Sequence, residues 1–134
     1  MNITLSEAKK VIDTATLKAV ALNTKMSISV VDAGASLVAF ERMDGAFIGP
    51  IDIAMKKAKT AALFGKDTSI LGELSQPGAP LYNIEHSNNG LITFAGGVPI
   101  KNKDGIIIGA IGVSGSTVEN DFQVAQAGVN SILE

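Results

Sequence analysis

Near the start of the chain, apolar residues recur by threes and fours: Leu5, Ala8, Ile12, Ala15, Ala19 and Leu22. That spacing puts one stripe on a helix and predicts an amphipathic helix over about residues 5–23, with Lys9, Lys10, Asp13 and Lys18 on its wet side. Thr4-Leu5-Ser6-Glu7 supplies a capping box, in which the Thr4 hydroxyl accepts from the Glu7 N–H and the Glu7 carboxylate reaches back. The pattern then changes. Met26 to Asp32 and Leu37 to Arg42 read as strands returning on each other around the turn Ala33-Gly34-Ala35-Ser36. Gly49-Pro50 opens a second helix, which Gly65 closes, because proline suits the first helical turn and glycine the left-handed cap. Its Ala54, Ala58, Ala61 and Ala62 form a slim face, while Lys56, Lys57, Lys59 and Lys66 add cations.

Residues 66–90 are the least regular. A short helix over Thr68 to Leu74, the loop SQPGAP and a helical turn in LYNIEH are expected, since a long structureless stretch is rare in a small domain. Three strands follow: Leu91 to Phe94, Val98 to Lys101 and Gly105 to Ser114, the last two joined by the turn Asn102-Lys103-Asp104-Gly105. Ser116-Thr117-Val118-Glu119 reads as a second capping box. Behind it, Val118, Phe122, Ala125, Val129 and Ile132 step along one face of a C-terminal helix. Strands grouped between helices predict an α+β domain spanning residues 1–134, with a five-stranded antiparallel sheet packed by helices.

Composition narrows the functions. Of 134 residues 46% are apolar and only 18% charged, a balance that suits a surface partly hidden between copies of the chain. The net charge of −2 excludes a nucleic-acid footprint and an affinity for anionic membrane. With no cysteine there is no disulfide, thiolate chemistry or cysteine-held metal. The first residues lack the basic and apolar regions of a secretory signal, so a cytoplasmic location is expected.

The candidate chemistry is sparse. Gly109, Gly112 and Gly115 do not match a dinucleotide fingerprint, and close packing against the sheet accounts for the first two. Gly96-Gly97 permits either a flat ligand against backbone or a bulge at a sheet edge, where Pro99 belongs. His86, the single histidine, is a candidate general base, metal ligand or haem ligand, or a polar loop residue. Arg42 and Asp44 share a face if the strand runs through both. They then either pair with each other or aim a guanidinium at a carboxylate.

VVDAGASLVAFERMDGA (30–46), IDIAMKKAKTAALF (51–64), GGVPI (96–100) and GAIGVSGSTVENDFQVAQAG (109–128) together resemble the GlcG/HbpS family of haem-binding or haem-degrading domains, to which the C-terminal domain of PduO belongs. The resemblance spans nearly the whole chain. It implies a profilin-like fold with helices on both faces of the sheet, and homo-oligomers from dimer to octamer. It also implies a role as a haem- or small-molecule-binding accessory protein, in glycolate or propanediol catabolism or in a redox or haem response. The family's axial histidine lies in the first helix, where this chain has none, and the sensor member's Glu-x-x-Glu iron pattern is missing. The ligand is expected in a pocket or inter-subunit cleft built from segments 42–57 and 82–97. There Arg42 and Lys57 take a ligand's acidic groups, Gly96 and Gly97 allow close approach, and His86 is the candidate iron ligand. Asp44 holds the corner. An assembly protein built on its glycine and alanine faces is the alternative, followed by an enzyme using His86 or Asp44 as base on a small hydroxy- or oxo-acid.

Overall fold

The predicted periodicities become helices α1 (Leu5–Ala21), α2 (Gly49–Phe64), α3 (Thr68–Leu74) and α4 (Val118–Asn130) in the computed structural model, which describes residues 1–133. Strands β1 (Ser27–Asp32), β2 (Leu37–Arg42), β3 (Gly97–Lys101) and β4 (Ile107–Ser114) form one antiparallel sheet in the order β2-β1-β4-β3.

The capping box of α1 forms as expected: Thr4 Oγ1 accepts from the Glu7 N–H at 3.1 Å and Glu7 Oε1 accepts from the Thr4 N–H at 2.9 Å. Thr4→Ala is therefore expected to lower stability by about 1 kcal/mol, read as a lower denaturation midpoint at unchanged slope. The second box does not form. Thr117, not Ser116, caps α4 by accepting from the Asn120 N–H, and the Ser116 N–H is taken instead by Asp121.

Strand alternation sorts the two faces. Ile28 and Val30 on β1 and Ile111 and Val113 on β4 point to one side, where they meet Val11, Ala15, Val124 and Ala125 of α1 and α4 in the main core. Ser29, Val31, Ala110 and Gly112 point to the other side, onto α2. The slim alanine face of α2 is what allows this. Ala54, Ala58 and Ala61 are fully buried, and Ser29 Oγ donates to the Ala54 carbonyl at 2.8 Å. A Cβ on Gly112 would stand 2.0 Å from that same carbonyl oxygen, so strand and helix backbones meet almost directly.

The sheet has four strands among the described residues, not five. Leu91 to Phe94 stays outside it because its backbone finds other partners and neighbours. The Ile92 N–H donates to Thr60 Oγ1 on α2 at 3.1 Å, and the Thr93 carbonyl lies against Gly72 of α3. Pro99 sits on edge strand β3, where a missing N–H costs no ladder bond. Residues 84–86 form the expected single turn.

Candidate functional site

β1 begins where β2 and β4 end: Ser27 lies opposite both Arg42 and Ser114. Three connections therefore converge at this end of the sheet, residues 23–25 from α1, 43–48 towards α2, and 115–117 towards α4. Two grooves open between them, of about 520 and 510 Å³, and both are walled by Asn23, Thr24 and Lys25. Thr16 and Val20 of α1 face Glu41, Arg42, Met43 and Asp44 across the first. The second runs between Gly45-Ala46-Phe47 and Gly115-Ser116.

The corner that shapes the grooves is held by Met43. Its N–H donates to the Met26 carbonyl at 2.9 Å, and its Sδ accepts from the Met26 N–H at 3.3 Å. β2 ends at Arg42, and the chain turns at once through Ala46 N–H to the Met43 carbonyl. The strand thus stops short of Asp44, and Arg42 and Asp44 do not alternate along one face. Nor do they pair: the ion pairs among the described residues are Lys56–Asp52 and Lys57–Asp121. Arg42 and Lys25 both stand exposed on the groove without a carboxylate partner, with Glu41 and Asp44 nearby on the same walls. The Glu41 carboxylate is engaged by the Thr16 hydroxyl at 2.9 Å.

Lys57 lies elsewhere. Its ammonium, expected to meet a ligand's acid, is 0% exposed and donates to Asp121 Oδ2 at 2.9 Å and to the Val113 carbonyl at 2.8 Å. The Phe94 ring covers it, with its centroid 5.0 Å away. Gly96 and Gly97 complete this cage rather than flanking the groove. Gly96 has φ of 127°, and a Cβ there would come within 2.6 Å of Lys57 Nζ. Burial draws the Lys57 ammonium below its ordinary pKa and pushes the Asp121 carboxyl above its own, each opposed by the attraction of the other. The Ser116 N–H also supports the Asp121 carboxylate, at 3.0 Å to Oδ1. The pair is a bolt between α2 and α4, which lie on opposite faces of the sheet.

His86 lies on the α2 side. It is exposed in the single turn Ile84–His86, beside a loop whose Asn88 carbonyl is gripped by Lys59, and it lines neither groove. The expected site thus divides into three places: Arg42 and Asp44 on the groove, Lys57 with Gly96 and Gly97 in the buried cage, and His86 on the far side of α2. Two participants were not foreseen. Asp121 carried no signal beyond its place in the first turn of a helix. Lys25 showed none, being one of several lysines in polar surroundings. The burial of Lys57 did leave a trace, because it falls three residues after Ala54 and four before Ala61, on the small-residue face.

Comparison with known proteins agrees with this architecture. The family model described as "Haem degrading protein HbpS-like" matches residues 3–130. An uncharacterised 15.0 kDa protein from the dhaT–dhaS intergenic region of Citrobacter freundii is 38% identical over 133 residues, covering 98% of this chain and 93% of that protein. The crystal structure of Klebsiella pneumoniae protein ORFY superposes with a TM-score of 0.94 at 36% identity, over 98% of this chain and 90% of ORFY. The structure of a PduOC:heme complex does so with a TM-score of 0.92 at 33% identity, over 98% and 96% of the two chains. With a family model covering almost its full length and relatives matched from end to end, this chain belongs to the HbpS-like family.

Proposed function

We propose that this chain is a self-associating accessory protein that binds a small, carboxylate-bearing ligand, of which haem is the leading example, in the groove between α1 and the end of β2. The carrying observation is the pair of unpartnered cations there. Arg42 and Lys25 face a groove that Val20 and Met43 make partly apolar. A guanidinium with free N–H groups matches a carboxylate in two-pronged fashion, and an apolar wall beside it suits an acid with a hydrophobic body. The family match and the haem complex of PduOC support the haem class of ligand.

Haem iron itself fits poorly. The α1 wall of the groove offers Thr16 and Val20, and the Thr16 hydroxyl is already engaged with the Ile12 carbonyl and Glu41. The Met43 sulfur accepts from the Met26 N–H. His86 is on the far side of α2, and no group of three or more His, Cys, Asp or Glu able to hold a metal occurs among the described residues.

Self-association is supported by apolar side chains left in water around the grooves. Phe47 and Ile48 are 76% and 75% exposed, and Leu17 and Val20 on α1 are also bare. Sedimentation at micromolar concentration is expected to give a species larger than the 13.8 kDa monomer.

Titration with haemin tests the ligand site. Arg42→Ala is expected to weaken binding by about tenfold, the order of one charge-assisted pair, and to leave the unliganded melting temperature within a degree or so because the side chain is exposed and unbonded. Binding unchanged by both Arg42→Ala and Lys25→Ala would remove the groove as the site.

A further inference from the structure

The groove supplies cations and an apolar wall but, apart from the Glu41 and Asp44 carboxylates, no imidazole, thiolate or uncommitted thioether for iron, and this combination limits what kind of planar acid it recognises. Resting on the site proposed above, we infer that this chain binds a tetrapyrrole through its carboxylates and its hydrophobic face alone, so that the metal-free porphyrin is as good a ligand as haem.

Two separate sets of contacts hold a porphyrin dicarboxylate in a protein. Its propionates take cations or hydrogen-bond donors at the rim, and its ring takes apolar surface, while an iron centre adds a third contact only where a side chain reaches it. Here the first set is present: Lys25 and Arg42, without carboxylate partners, stand on the same groove. Glu41 and Asp44 lie there too and disfavour a ligand richer in negative charge than the two cations can match. Apolar surface comes from Val20 and Met43 in the first groove and from Phe47 in the second, the two being joined along Asn23, Thr24 and Lys25. For the third contact neither groove offers an imidazole or a thiolate. Each heteroatom of Thr16 and Met43 suited to the metal is committed to a partner at 3.3 Å or less, and the one imidazole lines neither groove. Removing the metal therefore costs no imidazole, thiolate or thioether contact.

The test is a parallel titration of the full chain with haemin and with metal-free protoporphyrin IX, followed by absorbance and by quenching of porphyrin fluorescence, on the native chain, His86→Ala and the double variant Lys25→Ala/Arg42→Ala. The two porphyrins are expected to bind with affinities within about threefold of each other, each unchanged in His86→Ala and each weakened by tenfold or more in the double variant. Bound haemin is expected to lack the sharpened, shifted Soret band of imidazole-ligated iron. A preference of tenfold or more for haemin, or a loss of haemin binding confined to His86→Ala, would overturn iron-independent recognition while leaving the chain a haem binder. Failure of both porphyrins to bind would overturn it together with the proposed ligand class.

Discussion

Lys57→Met is expected to destabilise the protein by about 3–5 kcal/mol, the cost of leaving one member of a buried ion pair without its partner. The Asp121 carboxylate would keep the Ser116 N–H but lose the ammonium that offsets its burial. The direction of the pH dependence follows. Asp121 already has a folded-state pKa above its ordinary value, so its favourable contribution is complete below the unfolded pKa and is lost as pH rises through the folded one. Without Lys57 that pKa rises further. The deficit of Lys57→Met is therefore largest near neutrality and shrinks on acidification, as urea denaturation at about pH 7 and about pH 5 would show. Asp121→Asn must behave in the opposite sense. Burial holds the Lys57 pKa below its ordinary value, so its contribution is complete above the unfolded pKa and lost as pH falls. The Asp121→Asn deficit then shrinks on alkalinisation. Deficits that ignore pH in both variants would show that the pair is not charged in the folded protein. Replacing both residues with apolar ones of similar volume should cost much less than either single change, since no lone charge is left behind.

Gly112→Ala should be the most damaging single-methyl change, on the order of 3 kcal/mol from overpacking plus a stranded buried hydroxyl. The new Cβ would fall 2.0 Å from the Ala54 carbonyl oxygen and 2.4 Å from the Ala58 nitrogen, both backbone atoms of α2 that cannot rotate away. Relief requires the helix to lift. Lifting it breaks the 2.8 Å bond from Ser29 Oγ to the same Ala54 carbonyl and opens the contact of Val31 and Ala110 with Ala58 and Ala61. Gly49→Ala is the matched control. Nothing lies within 4 Å of a Cβ there, so it should be neutral or slightly stabilising through reduced freedom of the unfolded chain. Comparable midpoints for the two variants in thermal denaturation would show that α2 does not rest on Gly112.

The candidate site was only partly legible in the sequence. Arg42 could be singled out as a guanidinium at a strand end before a turn, with an ion pair to Asp44 and an anion site equally open. Its face could not, since whether β2 continued through Asp44 depended on the bonds between Met43 and Met26, partners seventeen residues apart. Lys57 misled because the charge of a lysine is a stronger local signal than its phase on a helix. Only Asp121, sixty-four residues away, explains how the cation stays buried. Gly96-Gly97 left a choice between a ligand and a tight backbone, and the close neighbour turned out to be the lysine itself.

Periodicity and caps alone determined the helices, the hairpins and the antiparallel class. Those are decided by contacts within a few residues: the Thr4–Glu7 box, the Asp32 carboxylate accepting from Gly34 and Ser36, and the Asn102 amide oxygen accepting from Asp104 and Ile106. Tertiary structure decided the rest. It left Leu91 to Phe94 out of the sheet, since Thr60 and α3 offered that segment better neighbours than an edge strand did. It enclosed Lys57 with Asp121, brought Lys25 beside Arg42, and put His86 out of reach of both. Each of those outcomes depends on elements distant in sequence meeting at one end or one face of the sheet, and no local pattern of residues encodes such a meeting.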